Sequence, residues 1–80
     1  MKEIIIDVRT PEEFKSGNAS CSVNYPLNEL STKIEELKQY ESIKIVCRSG
    51  ARAGTAQMML MEAGITNVQN LGPWQMAKCD

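Results

Sequence analysis

Three consecutive isoleucines, Ile4, Ile5 and Ile6, stop at Asp7, and Thr10-Pro11-Glu12-Glu13 follows almost at once. An unbroken β-branched run reads as a strand covered on both faces. Thr10 can cap a helix, Pro11 suits its first position, and Glu13 can close a capping box. The same order returns in the second half. Ile43-Lys44-Ile45-Val46-Cys47 reads as a strand, Arg48-Ser49-Gly50 as a turn, and residues 51–63 as a helix. Ala53, Ala56, Leu60 and Ala63 give that helix an apolar stripe. Short apolar runs that alternate with helical patterns predict an α/β fold. Its sheet is small, mostly parallel and four- to five-stranded, with helices on both faces.

The remaining segments fit that frame. The first strand covers residues 3–8, and the helix after it reaches about Lys15 and ends near Gly17. Cys21 to Asn24 reads as a short strand that Pro26 stops. Ser31 or Thr32 starts another helix, with Thr32-x-x-Glu35 as a second capping box. Leu30, Ile34 and Leu37 form its inward face. Gly64 is a C-cap for the long helix. Asn67 to Leu71 is the last strand, Gly72-Pro73 turns the chain, and Trp74 folds back as a lid on the core.

A chain of 80 residues holds a single domain, residues 1–80. A domain this small buries only roughly 60–65% of the surface its unfolded chain exposes, so its core is thin. Nine Lys and Arg stand against ten Asp and Glu, which leaves no basic excess for nucleic-acid binding. Histidine is absent. That removes Ser-His and Cys-His nucleophile pairs, HExxH zinc sites and histidine proton shuttles. Cys21, Cys47 and Cys79 form no CxxC pair and no zinc set, so no metal is expected. They also do not resemble a disulfide framework. No run is long enough for a signal peptide or a membrane span. The expected location is therefore the cytoplasm, without membrane attachment, and all three cysteines are expected as free thiols.

Cys47-Arg48-Ser49-Gly50-Ala51-Arg52 joins the carboxyl end of a strand to the amino end of a helix. Ligands bind at that edge in open α/β sheets. Successive backbone N–H groups there can form an anion nest, and the helix adds unpaired N–H groups and its positive dipole end. Arg48 and Arg52 add two planar, permanently charged donor groups. A cysteine in such a field should have a lowered pKa, and thiolate is the nucleophile. A lone cysteine ending a strand is ordinarily a small buried hydrophobe. The combination of strand, cysteine, basic glycine turn and helix points instead to a Cys-centred anion site.

That six-residue segment resembles the active loop of rhodanese-type sulfurtransferases. Ile6-Asp7-Val8-Arg9-Thr10-Pro11-Glu12-Glu13-Phe14 is similar to the family's opening motif, and Asn24-Tyr25-Pro26-Leu27 to its Asn-x-Pro-Leu segment. Gly64-Ile65 through Val68, then Asn70-Leu71-Gly72, resembles its closing strand and glycine turn. The pieces run in order over nearly the whole chain, and small single-domain thiosulfate sulfurtransferases resemble it most. The resemblance implies that Cys47 takes sulfur from thiosulfate, releases sulfite and carries a persulfide cradled by loop N–H groups from Arg48 to Arg52. It implies no cofactor beyond that covalent intermediate. Another small sulfur donor could replace thiosulfate. Cyanide, a small thiol, thioredoxin or a sulfur-carrier protein would accept the sulfur, and the domain is expected as a monomer. Two guanidinium groups suit a dianion such as thiosulfate better than a monocarboxylate.

Three other readings use or dismiss the same loop. One is a persulfide carrier or sulfur-relay module charged by a protein donor. Another is a Cys-loop phosphatase or arsenate reductase, whose loops resemble Cys-x5-Arg, one residue longer than here. The last is an inactive interaction domain, which an intact Cys47 weakens. The chain also departs from the family pattern. Gly17-Asn18-Ala19-Ser20-Cys21-Ser22 stands where Gly-His-Ile-x-Gly-Ala is usual, and Gly72-Pro73 stands for a double glycine. No helix-strand segment precedes the opening motif, so the sheet is expected to lack a first edge strand. Asp7 and Arg9 read as a structural brace. Cys21 is expected to be buried or inert, and Cys79 an exposed bystander.

Overall fold

The computed structural model describes residues 2–79. Its elements are β1 (Glu3–Asp7), α1 (Pro11–Ser16), β2 (Ser22–Asn24), α2 (Ile34–Leu37), β3 (Ser42–Cys47), α3 (Ala51–Glu62) and β4 (Val68–Pro73). A 310 helix, Leu27–Lys33, leads into α2, and a 310 turn, Trp74–Met76, follows β4. One four-stranded sheet has the order β2-β1-β3-β4, with every neighbouring pair parallel. The α/β sheet flanked by helices is the architecture read from the alternating apolar runs.

The two isoleucine-rich strands occupy the centre, where both faces need cover. Ile4 stands opposite Ile43 and Ile6 opposite Ile45. Ile4, Ile6 and Val8 share one face with Ile43, Ile45 and Cys47, and that face carries the core. Ala53, Ala56 and Leu60 of α3 pack on it, with Leu30 and Leu37 from the helical segment before β3. The alanines let α3 approach the sheet closely, while full burial of each isoleucine or leucine contributes about 1.5–3 kcal/mol. Ile5, Lys44 and Leu71 face a smaller opposite layer, where Met76 and Lys78 help to line a cavity of about 260 Å³.

Asp7 and Arg9 form the expected brace, and both are buried. Arg9 Nη2 donates to Asp7 Oδ2 at 2.8 Å and to the Gly17 carbonyl at 2.7 Å. Thr10 and Glu13 make the expected capping box at the start of α1.

Four expectations need correction. Thr32 caps nothing: its hydroxyl donates back to the Glu29 carbonyl, and the chain enters α2 through 310 turns with no side-chain cap. Gly72-Pro73 is not a turn but the end of β4. Ile45 pairs with Asn70 and Val46 with Gly72, so Leu71 is the extra residue of a bulge. An edge strand tolerates the proline because no further strand needs its missing N–H. Trp74 is no core lid. Its ring stacks on the Arg9 guanidinium with 5.0 Å to the ring centroid, and it stays half-buried.

The fourth correction concerns the cysteines. Cys21, exposed just before β2, forms a disulfide with Cys79, which is also exposed. Among the described residues, Cys47 is the one free thiol. Disulfides persist in oxidising surroundings, so the cysteines lend no support to a reducing compartment. Among the described residues, no helix is long and apolar enough to cross a membrane.

Candidate active site

Cys47 is the last residue of the central strand β3, and its side chain is buried. The chain turns back over it because Gly50 adopts a left-handed conformation, φ +102°, at the N-cap of α3. A Cβ at Gly50 would sit 3.3 Å from the Gly72 Cα, so both backbone angle and space favour glycine. This turn aims amides at the sulfur. The N–H groups of Gly50 and Ala53 donate to Cys47 Sγ at 2.9 and 3.4 Å. Burial pushes the thiol pKa up, but backbone N–H groups of Ala53, Gly50, Ser49 and Arg52 outweigh it, and the net shift is downward. The positive end of α3 acts in the same direction. The nest foreseen for an anion is thus centred on the sulfur itself.

The other loop residues divide. Arg48, Ser49 and Ala51 are exposed, and Gly50 and Arg52 are partly buried. Among the described residues, Arg48 makes no ion pair. Arg52 is not the open clamp suggested by its place in the loop. Its Nη1 donates to Glu13 Oε1 at 2.7 Å and its Nη2 to Glu13 Oε2 at 2.9 Å. Arg52 and the Thr10 N–H lower the Glu13 pKa to about 2. Glu13 in turn keeps Arg52 more firmly protonated, as does the nearby Cys47 charge. Arg52 also forms part of the wall of a largely apolar cleft of about 400 Å³, with Val8, Thr10, Pro26, Leu27 and Asn28. Such a site offers a buried thiol whose anion the converging amides favour, and one guanidinium without an ion-pair partner among the described residues. That arrangement suits a nucleophilic sulfur that meets a small anionic electrophile. Among the described residues, no three His, Cys, Asp or Glu gather to hold a metal ion.

The family model described as the Rhodanese-like domain matches residues 1–72. The chain belongs to the rhodanese-like domain family. A rhodanese from E. coli, solved with anions, superposes with a TM-score of 0.85 at 30% identity, covering 98% of this chain and 94% of that one. The reduced CoADR-RHD of Bacillus anthracis superposes at 0.81 with 40% identity, over 92% of this chain but only 13% of that one. In sequence, the chain is 33% identical over 69 residues to thiosulfate sulfurtransferase PspE of Escherichia coli strain K12, covering 84% of this chain and 66% of that protein. This rhodanese-like domain spans less than two thirds of the length of the curated relatives it matches.

Three residues of the rhodanese-like site have roles that its sequence did not reveal. Asn70 Nδ2 donates to the Gly50 carbonyl at 3.0 Å, while its Oδ1 accepts from the Gly72 N–H at 2.8 Å. It thereby ties the active loop to β4. The one signal was an amide side chain two residues before a glycine. Asn24 Nδ2 donates to the Asp7 and Arg9 carbonyls, both at 3.0 Å, and so fixes the exit of β1. Glu13 read only as a helix-capping charge, and its partner Arg52 lies 39 residues away.

Proposed function

We propose that this domain is a sulfurtransferase that moves sulfane sulfur from thiosulfate to a thiophilic acceptor through a Cys47 persulfide. The observation that carries this reading is the pair of N–H donors, Gly50 and Ala53, converging on a buried free thiol. A thiolate held in that way is a nucleophile at neutral pH without a histidine base. It attacks the outer sulfur of thiosulfate. The new Cys47 S–S bond forms as the old S–S bond breaks, and sulfite leaves with the electron pair. The bound persulfide stays anionic, and the loop amides that held the thiolate hold its charge. Cyanide attacks the outer sulfur, departs as thiocyanate and returns the thiolate. A small thiol, thioredoxin or a sulfur-carrier protein would take the sulfur in the same manner. The similarity to PspE, which is named for thiosulfate, supports the donor. The chemistry asks for no metal and no dissociable cofactor.

The test is an intact-mass spectrum after thiosulfate and again after cyanide, with thiocyanate measured alongside. A gain of one sulfur, about 32 Da, that cyanide removes as thiocyanate is expected for a covalent carrier of sulfur. The Cys47→Ala variant should show neither. A stable gain with little turnover favours the carrier reading, with a protein as donor. Transfer that survives in Cys47→Ala would end the mechanism.

A further inference from the structure

The Arg52–Glu13 pair changes what the mouth of the loop can select. Glu13 is rigidly placed. Its Oε1 accepts from the Thr10 N–H and the Thr10 hydroxyl, both at 3.1 Å, as well as from Arg52. Both carboxylate oxygens then meet the two outer nitrogens of Arg52, the bidentate geometry that fixes a guanidinium best. The side chains of Arg52 and Glu13 are 34% and 30% exposed, so a small anion can reach them. The carboxylate cancels one of the two loop guanidinium charges. Arg48, with no ion-pair partner among the described residues, supplies the charge that remains. A dianion entering the loop therefore meets one uncompensated cation instead of two. Beside it lies the cleft walled by Val8, Pro26, Leu27 and Arg52, which suits an apolar body better than a second charge.

We propose that Glu13 is a specificity-determining residue: by holding Arg52 it narrows the advantage of doubly charged thiosulfate, so that singly charged sulfane donors with an apolar body are accepted beside it. The proposal rests on the persulfide chemistry above and adds the element that ranks its donors. The step is the same for either class. With a thiosulfonate, the Cys47 thiolate attacks the terminal sulfur, the S–S bond to the sulfonyl group breaks, and sulfinate leaves carrying the electron pair. Donor charge therefore differs while the sulfur chemistry does not.

The experiment compares the intact domain with Glu13→Gln, using thiosulfate and toluenethiosulfonate as donors and cyanide as acceptor. Gln serves the capping box as well as Glu does, so α1 keeps its cap. Freeing a second guanidinium should lower KM for thiosulfate about fivefold while KM for the thiosulfonate moves little, and added salt should shrink the difference. Glu13→Asp, which restores the charge, should return the donor ratio toward the original. An unchanged donor ratio in Glu13→Gln, or a KM that rises for both donors together, would overturn the proposal and leave Glu13 as a strut for Arg52. A separate readout needs no turnover: protection of Cys47 from iodoacetamide by sulfate and by methanesulfonate. Glu13→Gln should gain protection by sulfate about fivefold more than by methanesulfonate. Equal gains, or no protection by either anion, would also overturn the proposal. If neither sulfur donor is turned over but the protection shifts as stated, the persulfide reading falls and the role of Glu13 in anion choice stands.

Discussion

Breaking the Cys21–Cys79 disulfide should remove a large part of this domain's stability while leaving the reactive loop in place. The bond joins residues 58 apart, so it closes most of the chain into one loop. In the chain-entropy treatment a loop of that length restricts the unfolded ensemble by about 14 cal/mol/K, or about 4 kcal/mol at room temperature. A chain of 80 residues typically has a total stability of roughly 4–12 kcal/mol. The lost share therefore runs from a third to nearly all of it. For a domain this small, that change lowers Tm by about 20 °C. The assay is thermal and urea unfolding of the oxidised protein against the Cys21→Ser/Cys79→Ser double variant, with Cys47 retained in both. Sulfur transfer is measured below both transitions. The double variant should melt far earlier and still transfer sulfur, because both cysteines lie toward the amino end of the sheet and Cys47 at its carboxyl end. Coincident melting curves would refute the entropic reasoning. Loss of transfer in a variant that remains folded would refute the separation of the two ends.

The pH profile of Cys47 alkylation by iodoacetamide should have its midpoint below the 9.0 of an unperturbed thiol. The sign follows from the charge: N–H donors favour the anion, so thiolate persists as pH falls through the ordinary thiol range. A midpoint at or above that value would show that burial wins over the amides. Arg9→Met removes one partner of a buried ion pair and leaves Asp7 uncompensated. Urea unfolding should then show a loss of roughly 3–5 kcal/mol, and a loss under about 1 kcal/mol would mean that Asp7 finds other partners. Gly50→Ala puts a side chain at φ +102° and against Gly72. It should cost about 1–3 kcal/mol and slow Cys47 alkylation, since the turn that aims the amides must shift. Unchanged alkylation would mean that the loop keeps its shape without glycine.

What could be read in advance was mostly local. Ile4 to Ile6 and Ile43 to Cys47 became the central strands because runs so rich in β-branched apolar residues need cover on both faces. Thr10 and Glu13 cap α1 through contacts only three residues apart. The Cys47 loop was visible because a strand, a glycine turn and a helix are adjacent in the chain. Contacts between distant residues left little trace. The Cys21–Cys79 bond and the Arg52–Glu13 pair have no local signature, so three widely spaced cysteines looked like free thiols and a basic loop like an open clamp. Gly72-Pro73 misled for another reason. The two residues have turn chemistry, but a bulge at an edge strand accommodates both. Thr32 followed the capping pattern by spacing alone, and its hydroxyl found the nearer Glu29 carbonyl instead.

The all-parallel sheet has one further consequence. Every strand points the same way, so Glu3 opens β1 at the amino edge, and the disulfide brings Cys79 back to that edge beside Cys21. Glu3, Cys21 and Cys79 border one common cavity there. Cys47 sits at the other edge, where β3 ends. Both ends of the described chain thus leave from the back of the domain, as leads leave the rear of a plug. A fluorescent protein, an affinity handle or an electron-transfer domain could be spliced onto either end, or onto both, without standing in front of Cys47. Two copies joined tail to head by a flexible spacer would each keep an open mouth.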